Sequence, residues 1–196
     1  MDKLYKRLSL ALVKTKSIDS KEAELYEYAI KIVIQDIINT IVIISVGLIL
    51  GMIKECLCMY GTFFILRKFT GGFHAKSYAI CLISSTLIIT ASLFIIKYLE
   101  QNSYQILFLC LTVFFTILIW IFAPAENANK ILSDKEKKVF KIISIVLSIV
   151  LLLIIVLLWS FNNVVLYSVG FGLIIVGSLL LMSKVFKGLY TQKRCS

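Results

Sequence analysis

Long apolar runs separated by short polar stretches dominate the sequence from residue 29 onward. Runs of about 20 residues are long enough to cross the hydrocarbon core of a bilayer as α-helices. A shorter apolar run, Cys56–Leu66, brings the number of predicted crossings to six. We therefore expect an all-α integral membrane protein with about six transmembrane helices, one of them short or half-length. The five long spans are predicted at about 29–52, 78–96, 104–123, 139–161 and 164–183.

The short run Cys56–Leu66 leaves three arrangements open. Its eleven residues would form a helix of roughly 16 Å, about half of the hydrocarbon thickness. It could thin the bilayer locally, it could be extended by Arg67 and Lys68 reaching for the surface, or it could be a re-entrant half-helix. The distribution of charge along the chain requires that this run carry the chain from one side of the membrane to the other.

The N-terminal 28 residues are the most hydrophilic part of the chain. Leu4, Leu8 and Leu12 recur every four residues with cations between them, which predicts a helix with one apolar stripe lying on the membrane surface. The expected organisation is an amphipathic cytoplasmic segment over 1–28, a single membrane bundle over 29–184 and a basic cytoplasmic tail over 185–196.

Charge sets the expected orientation. The chain is 60% hydrophobic and only 16% charged, with a formal net charge of +10. Placing both termini in the cytoplasm leaves only Lys54 and Lys97, of 21 cations, on the outside, as the positive-inside rule requires. The excess of cations therefore indicates a multi-pass membrane protein with both termini in the cytoplasm. It does not indicate nucleic-acid binding, since no basic-aromatic surface accompanies it.

The five cysteines form no recognisable metal or disulfide framework. The Cys56-x-Cys58 spacing is too short for the usual zinc pair, and the chain has one histidine. We expect no metal and no cofactor. Cys110 lies within an apolar run, where it is most simply a small core residue, and Cys195 lies in the basic tail.

The segment R-K-F-T-G-G-F-H-A-K-S-Y-A-I-C, residues 67–81, holds the most reactive combination in the chain. A thiol becomes a nucleophile when an imidazole takes its proton, and here His74 precedes Cys81 by seven residues. On one straight helix the two would be ~10.5 Å apart along the axis, too far to bond. We therefore predict that Gly71 and Gly72 form a loop that carries His74 back over the helix bearing Cys81. The alternative is that both are ordinary structural residues.

Several other residues are candidates for supporting roles. Arg67 adds positive potential, while backbone N–H groups near Gly72, or the amide of Gln35, could stabilise an oxyanion. Gln35 and Asn39 share a face of the first span, so they either hydrogen-bond between helices or line the site. Asp36 and Glu126 are suitable by type to orient the imidazole, but the sequence does not place either beside His74.

The pattern Arg-x(3)-Gly-Gly-x-His-Ala-x(5)-Cys, together with Ala123-Pro124-Ala125-Glu126-Asn127, resembles the AgrB family of membrane-embedded cysteine endopeptidases. The resemblance implies cleavage of the acidic C-terminal tail of an AgrD-like quorum-sensing propeptide, on the cytoplasmic side. Cys81 would hold the peptide as a thioester until an internal Cys or Ser closes a thiolactone or lactone ring. His74 would act as base and then as acid, and the enzyme would work as a homodimer in the bilayer.

Two other classes of function remain open on the sequence. Polar groups in the first span would suit a small peptide transporter, although no pair of broken, repeated helices is evident. A non-enzymatic membrane scaffold would leave His74 and Cys81 replaceable. A covalent adduct with the peptide at Cys81 would distinguish a peptidase from both.

Overall fold

The computed structural model describes residues 23–71, 78–102, 104–125, 133–158 and 163–192. Within these ranges the chain is helical, which confirms the predicted all-α fold. The helices are α1 (Ala23–Ile49), α2 (Ile53–Thr70), α3 (Tyr78–Gln101), α4 (Gln105–Phe122), α5 (Asp134–Leu158) and α6 (Asn163–Gln192). The predicted amphipathic segment over residues 1–28 falls mostly outside the described residues.

Five of the described helices are long and apolar enough to cross a membrane, which confirms that this is a membrane protein. The sixth, α2, is a continuous helix of 18 residues, longer than the apolar run that predicted it. At 1.5 Å per residue it is about 27 Å long, close to the hydrocarbon thickness. Its extra turns come from charged ends, Lys54 and Glu55 at one and Arg67 and Lys68 at the other, so it is no half-helix.

Two predicted boundaries differ from the structure. Residues 97–103 were expected to form a loop, but α3 continues to Gln101, where Asn102 Nδ2 donates to the carbonyl of Tyr98 at 2.8 Å. The loop prediction was wrong because a helix that leaves the bilayer can continue through polar residues. For the same reason α6 runs to Gln192, well past the predicted end of its span at 183.

The chain divides into two compact units, Met1–Ser45 and Val46–Ser196. Helix α6 is the centre of the second unit, where it packs against α2, α3, α4 and α5. Of its most apolar stretch, 56% is buried, compared with 22% for α3 and α4. A central helix must let several neighbours approach closely, and small residues serve this purpose in membrane bundles.

Glycines on α6 make that approach feasible. A Cβ at Gly172 would lie 2.6 Å from the Cβ of Thr62 on α2, and one at Gly170 would lie 2.9 Å from the Thr112 hydroxyl on α4. Beside these contacts the Phe108 ring packs edge-on against Tyr167, with ring centroids 5.0 Å apart. Close packing at Gly172 therefore holds α2 to α6. Close packing at Gly170 and the contact between Phe108 and Tyr167 hold α4 to α6.

The start of α5 is fixed by a capping box formed by Ser133 and Glu136. The Glu136 carboxylate accepts from the Ser133 backbone N–H and hydroxyl, each at 2.8 Å, and the Glu136 N–H donates to the Ser133 hydroxyl at 3.3 Å. These bonds satisfy donors that the first turn of a helix leaves unpaired. Further along α5, Ser148 accepts a hydrogen bond of 2.7 Å from Trp120 of α4.

Candidate active site

The second unit gathers four helix ends at one end of the bundle. The alternation of α2 to α5 along the chain brings together the ends of α2 and α4 and the beginnings of α3 and α5. Phe69, in the last turn of α2, packs edge-on against Phe140 of α5 with ring centroids 6.2 Å apart. This end of the bundle contains the described parts of both sequence segments that carry the family resemblance, residues 67–71 and 78–81 of the first and 123–125 of the second.

Helix α2 stops at Gly71. The Gly71 N–H donates to the carbonyl of Arg67 at 3.1 Å, and its φ of +67° turns the chain out of the helix. Left-handed backbone of this kind is readily adopted only by glycine. Thr70, just before it, is completely buried. The first of the two predicted loop glycines therefore ends the helix from which the His74 segment departs.

The chain after α4 is bonded to the end of α2. The Ala125 N–H donates to the carbonyl of Thr70 at 2.8 Å, and Gly71 and Ala125 form an isolated parallel bridge. Ala123 and Ala125 are both buried, with 5% and 7% of their surface exposed. Two segments that the sequence singled out separately are thus joined by their backbones, a pairing that no side-chain pattern signals.

Cys81 is the fourth residue of α3 and is partly exposed. Its backbone carbonyl accepts a hydrogen bond of 3.1 Å from the Ser84 hydroxyl. The exposed N–H groups of a helix's first turn favour negative charge nearby. The thiol is therefore accessible, at a helix start, at the end of the bundle where Gly71 and Ala125 meet.

The other described cysteines lie in different surroundings. Cys56 is buried against Gly47, and Cys58 is partly buried on the same helix. Cys110 is exposed on α4, so its prediction as a core residue was wrong. An apolar neighbourhood in sequence cannot distinguish a lipid-facing position from a buried one, because both are apolar in a membrane protein. Cys195 lies outside the described residues.

Cations line the end of α2. The Arg67 guanidinium lies 5.3 Å from the centroid of the Phe63 ring, and the Lys68 ammonium lies 4.4 Å from that of Phe64. Cations are favoured both over aromatic faces and at helix C-termini. Each side chain therefore runs back along α2, so that both cations lie over aromatic rings of the preceding turn.

Some predicted site residues are not placed by this geometry. His74, Gly72 and Glu126 lie outside the described residues. Gln35 is partly buried and Asp36 exposed on α1, within the first unit, so a role for either at the site stays a prediction. Among the described residues, no three His, Cys, Asp or Glu side chains cluster in a way that could hold a metal ion.

Comparison with known proteins places this architecture in a family. The sequence profile described as accessory gene regulator B matches residues 5–183. An AgrB-like protein of Lactiplantibacillus plantarum is 31% identical over 182 residues, which are 92% of this chain and 86% of the relative. AgrB-like protein 2 of Clostridium perfringens strain 13 is 29% identical over 168 residues, covering 79% of this chain and 78% of the relative.

A further relative carries the family name itself. Accessory gene regulator protein B of Staphylococcus saprophyticus is 30% identical over 124 residues, which are 63% of this chain and 65% of the relative. No solved structure matches the chain. The fold and the site define a polytopic helical membrane protein in which the end of α2 is hydrogen-bonded to the segment after α4, and a partly exposed cysteine lies in the first turn of α3. The chain belongs to the AgrB family of accessory gene regulator proteins.

Proposed function

We propose that this protein is a membrane cysteine endopeptidase of quorum sensing, which removes the C-terminal tail of an AgrD-like propeptide. The observation that carries the proposal is the bridge between Gly71 and Ala125. It joins the two family-like segments at the bundle end where α3 begins with an accessible Cys81. Membership of the AgrB family supports the same substrate class.

In the proposed reaction His74 takes the proton of the Cys81 thiol, and the thiolate attacks the carbonyl carbon at the cut site. The C–N bond then breaks, His74 returns the proton to the departing amine, and the tail leaves. The rest of the peptide stays on Cys81 as a thioester. Backbone N–H groups near Gly72, or the Gln35 amide, would stabilise the oxyanion formed on the way.

The second half of the reaction would close a ring. An internal Cys or Ser of the peptide loses its proton to His74 and attacks the thioester carbonyl. The C–S bond to Cys81 breaks as the thiolactone or lactone forms, which releases the Cys81 thiolate beside the protonated imidazole. Water must be kept from the thioester for this attack to prevail over hydrolysis. The apolar helices that begin and end at the site support that requirement.

Charge supports the choice of an acidic tail as the leaving fragment. Arg67 and Lys68 lie at the end of α2, and the capped start of α5 carries Lys135, Lys137 and Lys138. Cations grouped at one end of the bundle attract an acidic peptide and raise its local concentration. The positive-inside rule would place this end in the cytoplasm. A homodimer, which the family resemblance implies, is part of the same proposal.

The proposal is tested by co-expressing the protein with its substrate and reading peptide masses. The substrate would be a short peptide encoded nearby, with an amphipathic start, an internal Cys or Ser and an acidic end. Cys81→Ala and His74→Ala should each leave it uncut, since either change removes half of the dyad. Cys58→Ala and Cys110→Ala serve as matched controls on neighbouring helices and should process it normally.

Membrane insertion of each variant is checked by its amount in the membrane fraction. Equal processing by wild type, Cys81→Ala and His74→Ala would overturn the peptidase assignment. In that case a transporter or scaffold would be the better account of the same fold.

A further inference from the structure

The bridge between the end of α2 and the segment after α4 leaves no room for a side chain at Gly71. A Cβ added to Gly71 would overlap the carbonyl oxygen of Ala125, and it would lie 3.4 Å from the carbonyl carbon. The obstacle is backbone, so it cannot move away as a flexible side chain would. The φ of +67° is independently unfavourable for any residue with a side chain. Glycine is therefore required at position 71 for two reasons. The positive φ disfavours any side chain, and a Cβ would overlap the Ala125 carbonyl oxygen.

The same bridge fixes the direction in which the chain leaves α2. Thr70 is fully buried, and its carbonyl accepts the Ala125 N–H, so neither side of the bridge can shift freely. His74 follows Gly71 by three residues, a distance of at most ~11 Å along the chain. A displacement at Gly71 therefore moves the point from which the chain departs toward His74.

We propose that Ala123–Ala125 is a backing segment for the end of α2 at Gly71, and that Gly71 and Ala125 are positioning residues for the dyad. This inference rests on the proposed function. It assigns the chain after α4 a task within the cleavage reaction, which is to hold the imidazole in register with the Cys81 thiol. Small errors in the placement of a catalytic group lower the rate strongly, whereas substrate binding elsewhere is unaffected.

The chain offers two matched controls for a Gly71→Ala variant. Gly51 has a φ of +66°, almost the same as Gly71, but a Cβ there would meet nothing within 4 Å. Gly51→Ala therefore places a side chain at a positive φ without the contact. Gly61 is inside α2 and also has open space around it, so Gly61→Ala reproduces a Gly-to-Ala change on the same helix. Neither residue belongs to the proposed site.

The test measures the rate at which iodoacetamide alkylates Cys81 at pH 7 in isolated membranes containing the full-length protein, resolved by peptide mass. An imidazole that accepts the thiol proton speeds this reaction. His74→Ala should slow it by about tenfold, and Gly71→Ala should slow it as much. Adding Gly71→Ala to His74→Ala should change nothing further. Gly51→Ala and Gly61→Ala should react like wild type.

Peptide processing provides a second readout. Gly71→Ala should lower kcat by at least about tenfold with KM unchanged, because substrate binding does not depend on the imidazole. Ala125→Pro removes the N–H donor of the bridge without altering α2, and it should act in the same direction. If Gly71→Ala does not insert into the membrane, Ala125→Pro is the variant that tests the proposal.

The outcomes separate the two proposals. If His74→Ala leaves both alkylation and processing unchanged, the dyad itself is refuted. If His74→Ala slows both reactions but Gly71→Ala and Ala125→Pro do not, the dyad stands and the backing segment is refuted. Equal losses in Gly51→Ala and Gly71→Ala would also refute it, since strain alone would then explain the effect.

Discussion

Glu100 is the residue whose surroundings are least favourable within the described bundle. Its Oε1 atom is buried without a hydrogen-bond partner, as is the Ser168 hydroxyl on α6. Glu55, at the start of α2, and Tyr167 lie close enough to Glu100 to interact with it electrostatically. Buried polar atoms without partners and like charges at short range both lower stability. This cluster lies at the opposite end of the second unit from Gly71, so it is separate from the proposed chemistry.

We predict that Glu100→Gln raises the thermal midpoint of the detergent-solubilised protein, because it removes a buried carboxylate and its repulsion from Glu55. A gain of about 1 kcal/mol is expected, typical of relieving one unfavourable buried polar contact. Peptide processing should be unchanged. The double variant with Glu55→Gln should be less stable than the sum of the two single effects predicts, since only one repulsion exists to remove. A lower midpoint for Glu100→Gln would contradict this account of the cluster.

At the scale of elements, α6 organises the second unit because it has glycines, which carry no side chain, where other helices cross it. Gly172 meets Thr62 of α2, while Gly170 meets Phe108 of α4. In lipid, helix association depends on close van der Waals packing rather than on excluding water. The positions where backbones approach most closely should therefore be the positions least tolerant of an added methyl group.

Gly172→Ala should destabilise the bundle by about 1–3 kcal/mol, the usual cost of overpacking a tight interface. Its Cβ would lie 2.6 Å from Thr62 and 2.9 Å from the carbonyl oxygen of Met59, which is backbone and cannot move aside. The partner variant is Gly61→Ala, where nothing lies within 4 Å. That change should stabilise α2 by about 0.8–1.0 kcal/mol through helix propensity. Thermal midpoints in one detergent would compare them, and equal midpoints would refute the packing argument.

At the scale of the whole molecule, the sequence predicts the spans well and their arrangement poorly. Apolar runs locate the long helices because a bilayer demands both length and apolarity, and the Ser133–Glu136 cap locates the start of α5 because its hydrogen bonds are local. Sequence does not predict that α6 is central. Lipid-facing and buried side chains are equally apolar, which is also why Cys110 was misplaced.

The sequence likewise predicts one part of the candidate site and not the other. Cys81 and Gly71 were found from residue type and spacing within one short segment. The bridge from Thr70 to Ala125 was not, because it is made of backbone atoms from segments far apart in the chain. The orientation with both termini in the cytoplasm, and the placement of His74 over Cys81, stay predictions from charge and from the family resemblance.

The central claim is that Cys81 carries the substrate as an acyl-thioester, and trapping that species tests it most directly. The substrate would be an AgrD-like peptide whose internal Cys or Ser is replaced by Ala, so that ring closure cannot discharge the enzyme. Intact mass of the purified protein should then show an adduct equal to the peptide without its tail. Hydroxylamine should remove it, and peptide mapping should locate it at Cys81.

Cys110→Ala, which changes an exposed thiol on α4, should accumulate the same adduct, while Cys81→Ala should accumulate none. Such a result would establish the nucleophile and the thioester together. A shortened peptide with no adduct at Cys81, or an adduct that persists in Cys81→Ala, would contradict the account.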